Sequence, residues 1–155
     1  MERLVLKVVF ATGIFTLPFT FLRRNVKDHI IIFLVTGYAA TFLAQLVVRR
    51  KKLKYPVRPW PNYFDTNILY EYLLLPLVSV WFNQTTRRSG IIGTLGQAVL
   101  YGTAHTVIET IIEKKTRLMQ WKTWSVFHNI SSIASVLLGS KGILFVIRWL
   151  SKRFG

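Results

Sequence analysis

Residues 30–54 read IIIFLVTGYAATFLAQLVVRRKKLK. The first 19 of them, 30–48, carry no charge, and five of the next six are basic: Arg49, Arg50, Lys51, Lys52 and Lys54. A helix rises about 1.5 Å per residue, so about 20 residues cross a hydrocarbon core about 30 Å thick. An uncharged run of that length, closed by a basic cluster, reads as a membrane span with its anchor at the headgroups. Four more windows pass the same measure: 4–22, 67–83, 91–112 and 125–147. The expected fold is an all-α, five-span transmembrane helical bundle, a single integral membrane domain over residues 1–155.

The composition agrees. The 155 residues are 52% hydrophobic and 14% aromatic, which excludes a disordered chain. There is no cysteine, which excludes a disulfide-stapled module. Lysine and arginine number 21 against 6 acidic residues, a net charge of +15. In a polar chain that excess would point to nucleic acid. Here the basic residues occupy short loops between apolar blocks, so the expected partner is a bilayer with anionic headgroups, and no nucleic acid is expected. Arg49, Arg50, Lys51, Lys52, Lys54 and Arg58 are the candidate headgroup contacts, each worth about 1 kcal/mol near an anionic surface. The sharper reading of that run is a docking site for nucleic acid or an acidic protein.

The window 67–83 is the shortest and holds Glu71 and Pro76. A re-entrant or buried helix is its alternative reading. Pro76 removes the hydrogen bond to the Tyr72 carbonyl and should bend that helix. The window 4–22 ends without a small-x-small cleavage site and is expected to be retained, with Lys7 snorkelling to the headgroups. No repeat is visible, and five spans do not divide into two equal halves.

The loops give an orientation. The N-terminus, the loop after 48 and the loop after 112 together carry twelve basic residues; the other side carries eight, namely Arg23, Arg24, Lys27, Arg87, Arg88, Arg148, Lys152 and Arg153. The positive-inside rule then puts the N-terminus in the cytoplasm and the C-terminus outside.

Polar residues recur at matched depth. Gln45 lies four residues before Arg49, Glu71 four after Asn67, Glu109 five before Lys114 and His128 four after Trp124, each near the cytoplasmic end of its window. His105 is one turn deeper than Glu109 on the same face, and Asn129 adjoins His128. Ionisable groups in hydrocarbon are costly and seek partners, so Glu71, His105, Glu109 and His128 are expected to converge. Three uses are open. The cluster can hydrogen-bond across helices and fix the bundle. It can carry a proton or ion. The same four residues can also complete a divalent-metal shell. No catalytic motif appears and no cofactor is implied.

Small residues recur every fourth position in three windows: Gly90, Thr94, Ala98, Gly102, Thr106 and Thr110; Ser131, Ser135 and Gly139; Thr36, Ala40 and Ala44. Such ridges let helix backbones approach, within one chain or between a homo-oligomer's copies. The loop at 55–65 has three prolines in six residues, which forbid a regular helix, and aromatic residues Trp60, Tyr63 and Phe64 suited to the headgroup layer.

Two stretches, YPVRPWPNYFDTNILYEYLLLPLVSVWFNQ at 55–84 and TVIETIIEKKTRLMQWKTWSVFH at 106–128, together with the five-span layout, resemble an uncharacterised family of small multi-pass membrane proteins of endospore-forming bacilli and clostridia. The resemblance covers roughly 27–148. It includes the Tyr-Pro-Val-Arg-x-x-Pro loop, Glu71, Glu109 and the Trp124–His128 pair. It implies the topology and a bacterial plasma membrane, and carries no activity with it. The leading functional expectation is a non-enzymatic structural or interaction partner in that membrane. Proton- or ion-coupled transport through the Glu/His cluster is the alternative, and a metal-dependent enzyme acting on lipid the third.

Overall fold

The computed structural model describes residues 1–22 and 25–154. Arg23 and Arg24, which entered the orientation argument, lie outside the described residues. Helix α1 is Glu2–Phe21 and α2 is Val26–Arg49. A five-residue π-helical turn, Tyr70–Leu74, runs straight into the eleven-residue α3, Leu75–Thr85. Helix α4 is Ile91–Lys115 and α5 is Val126–Phe154. Two short strands, β1 at Leu53–Lys54 and β2 at Gln120–Trp121, pair antiparallel with Leu53 opposite Trp121.

Four of these helices, α1, α2, α4 and α5, are long and apolar enough to cross a membrane. Only between 11% and 22% of each apolar window is buried inside the protein. Large apolar side chains such as Leu34, Phe42, Val99, Leu100 and Phe145 point outward, while Thr36, Ser79, Thr106 and Ser140 are buried. A protein in water would not hold that much apolar surface outside. The arrangement suits helices whose outer faces meet lipid.

The third window forms the centre of the bundle. At about 1.5 Å per residue the segment 70–85 is about 24 Å long, shorter than its neighbours. Leu75 N–H reaches back to Tyr70 O, one residue beyond the α-helical acceptor. This widened turn stands where the sequence predicts a bend: Pro76 follows at the start of α3, where its missing N–H costs least. Leu75, Leu77, Val80 and Phe82 are all buried.

Consecutive helices alternate in direction. At one end the Arg117 N–H lies 3.4 Å from Glu2 Oε1, the Val57 N–H donates to Arg117 O at 3.2 Å, and β1 pairs with β2. The N-terminus and the loops 50–69 and 116–125 therefore gather there. At the other end Trp81 Nε1 donates to Thr20 Oγ1 at 2.9 Å and Lys141 Nζ donates to Thr86 O at 2.7 Å.

Chain reversal after α2 uses a left-handed residue. Lys51 has φ 57°, with Lys51 N–H bonded to Val48 O and Lys52 N–H to Val47 O. That double bond closes the helix and throws the chain into β1.

Small residues sit where helices touch. A Cβ on Gly13 would come within 2.4 Å of Leu73, and one on Gly37 within 3.3 Å of Tyr72. On Gly102 it would lie 3.0 Å from the Ile130 carbonyl of α5. Along the α4 ridge Thr94, Ala98, Gly102 and Thr106 are buried. That ridge is intramolecular.

A hydroxyl chain ties the centre together. Thr36 Oγ1 donates to Ser79 Oγ at 3.0 Å, Ser79 Oγ to Ser140 Oγ at 2.8 Å, and Asn83 Nδ2 to Ser140 Oγ at 3.0 Å. These bonds join α2, α3 and α5. Single interhelical bonds of this kind are worth about 0.6 kcal/mol each.

Candidate functional site

Glu109, buried on α4, is the hub of the expected polar layer. Its Oε1 lies 3.4 Å from His105 Nε2, one turn earlier. Its Oε2 accepts a short hydrogen bond from Asn129 Nδ2 of α5. Asn129 Nδ2 also approaches Thr106 Oγ1 at 3.2 Å, and Asn129 Oδ1 accepts from Trp124 Nε1 at 3.0 Å. The Tyr70 ring lies 5.3 Å from the His105 ring, with the Tyr70 phenol against Glu109. Tyr55, buried in the loop after β1, faces the same group. Burial pushes its phenol well above the usual range, and the neighbouring Glu109 and Glu71 carboxylates add to the effect. Tyr55 therefore stays a neutral hydrogen-bonding group at physiological pH.

The other expected members make no hydrogen bond or ion pair with Glu109 among the described residues, although Glu71 also neighbours Tyr55 and Tyr70. Glu71 is fully buried, but its partner is Thr66, whose Oγ1 donates to Oε2 at 3.0 Å. Thr41 lies close to the carboxylate, yet its hydroxyl donates to Gly37 O at 2.9 Å, leaving Oε1 without a hydrogen bond. His128 is exposed; Nδ1 meets Ser125 Oγ at 2.6 Å and the ring lies 5.5 Å from that of Trp124. Gln45 is exposed on α2. Among the described residues no three His, Asp or Glu side chains lie close enough to hold a metal ion. Of Glu71, His105, Glu109 and His128, direct contact joins His105 and Glu109, with Asn129, while Glu71 shares the neighbourhood of Tyr55 and Tyr70 and His128 turns outward. The reason is rotational. Equal depth in the sequence fixes a residue's height along a helix, whereas its azimuth follows from helix packing.

The basic residues also divide. Arg49, Arg50, Lys51 and Lys54 are exposed and Lys52 is half-buried. Arg58 instead clamps its own loop, donating to Tyr55 O at 2.8 Å and Phe64 O at 2.5 Å and pairing with Asp65. Lys122 joins the exposed set across the β1–β2 pairing. Lys54, with Lys51 behind it, holds its ammonium below the ordinary lysine range. Cations crowded to that degree favour an anionic counterpart.

Between α2 and α5 lies a cavity of about 490 Å³. Its walls are Ala40, Leu43, Ala44 and Val47 from α2 and Ser132, Ile133, Ser135 and Val136 from α5. Glu109, Asn129, Tyr70 and Tyr55 line its inner end; Arg50, Lys52, Trp121 and Trp124 line its mouth. Leu43, Leu46 and Ser135 on the rim are exposed, so the cavity opens sideways. The ridges expected to bring helices together divide: Thr36 bonds to Ser79 of α3 and Ala40 packs with Leu75 and Ile133, while Ala44, Ser131 and Ser135 line this gap. Small side chains allow either outcome, and here Tyr55 and Tyr70 at the inner end accompany the open one.

Sequence reasoning missed a second polar group at the opposite end. Asp28 pairs with Arg148, and His29, Asn83 and Lys141 lie nearby around a separate cavity. Asp28 and His29 precede the apolar window that starts at residue 30, which is why a scan of the windows passed over them. No family model, curated protein or solved structure matches the chain.

Proposed function

We propose that this is a five-span protein of the bacterial plasma membrane that binds one anionic lipid between α2 and α5, without catalysing its conversion. The cavity between those helices carries the reading. Its volume of about 490 Å³ falls within the range of about 300–1,000 Å³ in which small molecules are held. Its layers match an amphiphile: apolar helix walls take acyl chain, Trp121 and Trp124 suit the interface, and Arg50 and Lys52 suit a phosphate. Asn129, Tyr55 and Tyr70 offer hydrogen bonds to a glycerol or ester oxygen at the inner end.

The segment 70–85 acts as the fifth span in this reading, short because both of its ends meet protein. The N-terminus is cytoplasmic and the C-terminus external. Support comes from the gathering of the N-terminus with the loops 50–69 and 116–125 at one end, and from the density of Arg49–Lys54. The chain has no cysteine, so single cysteines report cleanly. A cysteine at Lys54 is expected to react with a membrane-impermeant maleimide only in opened cells, and one at Lys152 in intact cells. The reverse pattern would overturn the orientation.

Lipid retention tests the binding. Protein released from nanodiscs into the gas phase is expected to keep one phosphatidylglycerol per chain. Ala44→Phe with Ser132→Phe fills the cavity and should lower that occupancy about tenfold while the protein still melts cooperatively. Lys52→Gln should weaken the preference for phosphatidylglycerol over phosphatidylcholine about fivefold, as about 1 kcal/mol per basic residue implies. Equal retention by the filled variant and wild type would contradict the proposal.

A further inference from the structure

The second cavity lies between the start of α2, the end of α3 and the second half of α5, with a volume of about 460 Å³. It stands at the end of the bundle opposite β1 and β2. Its charged lining is Asp28, Arg87, Lys141 and Arg148, with Asn83 and Gln84 between them.

We infer that this cavity is a second binding site, for a phosphate group. Asp28 is the one carboxylate in the lining, and it is committed to Arg148 through a short ion pair. Arg87 and Lys141 have no acidic partner among the described residues. Two uncompensated cations on one cavity are a demand for an anion.

Geometry sharpens the demand. Lys141 is not a free surface lysine. Its Nζ donates to Thr86 O at 2.7 Å and to Thr94 Oγ1 at 3.1 Å, which holds the ammonium in place between α3 and α4. An ammonium has three N–H donors, so one remains for a ligand. Arg87 follows Thr86 directly and is exposed, and its guanidinium fork has no hydrogen-bond partner among the described residues. Arg and Lys in this combination recognise phosphate, Arg through paired N–H donors and Lys as a point charge. Ile32, Leu144 and Phe145 add apolar wall, so the cavity accepts a phosphate attached to a small organic body. That chemistry has two sources: the headgroup of a phospholipid in the adjoining leaflet, or a free phosphate compound from the aqueous side.

The site is independent of the lipid cavity at the other end, and the test keeps them apart. Full-length protein in dodecyl maltoside is titrated with inorganic phosphate against chloride at matched ionic strength, with melting temperature as readout. In parallel it is melted in nanodiscs of phosphatidylglycerol and of phosphatidylcholine. Wild type, Arg87→Gln, Arg87→Lys and, as the control at the opposite end, Lys114→Gln, an exposed residue lining neither cavity, are compared. The Arg87 side chain makes no hydrogen bond among the described residues, and its backbone bond to Gln84 O does not depend on the side chain, so its variants should fold. If the source is free phosphate, phosphate raises the melting temperature, Arg87→Gln weakens the apparent affinity fivefold or more, Arg87→Lys restores part of it, and Lys114→Gln changes nothing. If the source is a lipid headgroup, phosphate has no effect, and the advantage of phosphatidylglycerol over phosphatidylcholine shrinks in Arg87→Gln and is partly recovered in Arg87→Lys. Responses to phosphate and to phosphatidylglycerol that are the same in Arg87→Gln as in wild type would overturn the inference.

Discussion

Gly102→Leu is expected to destabilise the protein by about 3 kcal/mol, at the upper end of what overpacking costs in a core. The added Cβ alone would sit 3.0 Å from the Ile130 carbonyl and 3.7 Å from the Ala134 amide nitrogen. Both are backbone atoms of α5, so neither can swing aside as a side-chain tip would. The remaining three carbons of leucine must then force α4 from α5, opening contacts at Ala98 and Thr106 on the same ridge. In lipid, dispersion and polar bonds hold helices together, because expelling water contributes nothing between them. A separated interface therefore has little to fall back on. Gly96 provides the control, since an added Cβ there meets nothing within 4 Å and the residue is exposed. Melting in detergent should show Gly96→Leu close to wild type and Gly102→Leu far below it. Equal melting of the two variants would place Gly102 on the lipid face.

Asn129→Leu should cost about 2 kcal/mol, which separates a hub from an ordinary interhelical bond. Bonds of the ordinary kind average about 0.6 kcal/mol and reach about 1.7. Asn129 serves Glu109, Thr106 and Trp124 at once. Its loss leaves a carboxylate at 7% exposure with His105 and the Tyr70 phenol beside it. A hydrogen bond to a charged group is worth about 1.5–3 kcal/mol, and removing one partner leaves the other group's desolvation uncompensated. Asn129→Leu combined with Glu109→Gln should recover much of the loss, because the orphaned charge goes with it. A double variant as unstable as the sum of the two single ones would show that Asn129 and Glu109 act separately.

The sequence made the bundle legible because lipid imposes one requirement that can be counted residue by residue. An uncharged run such as 30–48 has few structural options in hydrocarbon other than helix. Gly102 was legible for a related reason: a residue without a side chain, spaced four from Ala98 and Thr106, reads as a place of close approach. Depth of the polar groups was legible too, which is how Glu109, His105 and Asn129 were grouped. Azimuth was not. His128 has the right height but turns outward to Ser125, and Gln45 faces outward on α2. Glu71 has the right height but meets Thr66, a loop residue whose position depends on how the prolines fold the chain. Arg58 looked like a headgroup ligand because it follows a basic run, yet the carbonyls of its own loop take the guanidinium. The cavity itself was hidden for a physical reason. Small residues such as Ala44 and Ser135 permit contact or a gap equally, so their spacing does not say which one forms.

The claim that a lipid occupies the space between α2 and α5 is open to one direct measurement. Phosphatidylglycerol carrying a photoactivatable diazirine midway along one acyl chain is reconstituted with the full-length protein, irradiated, and the adducts are mapped by peptide mass spectrometry. The account expects adducts concentrated on Leu43, Ala44 and Val47 of α2 and on Ser132, Ser135 and Val136 of α5, and depleted when Ala44→Phe and Ser132→Phe fill the cavity. Adducts spread evenly over outward residues such as Leu34, Val99 and Phe145, with no enrichment between α2 and α5 and no change in the filled variant, would contradict it.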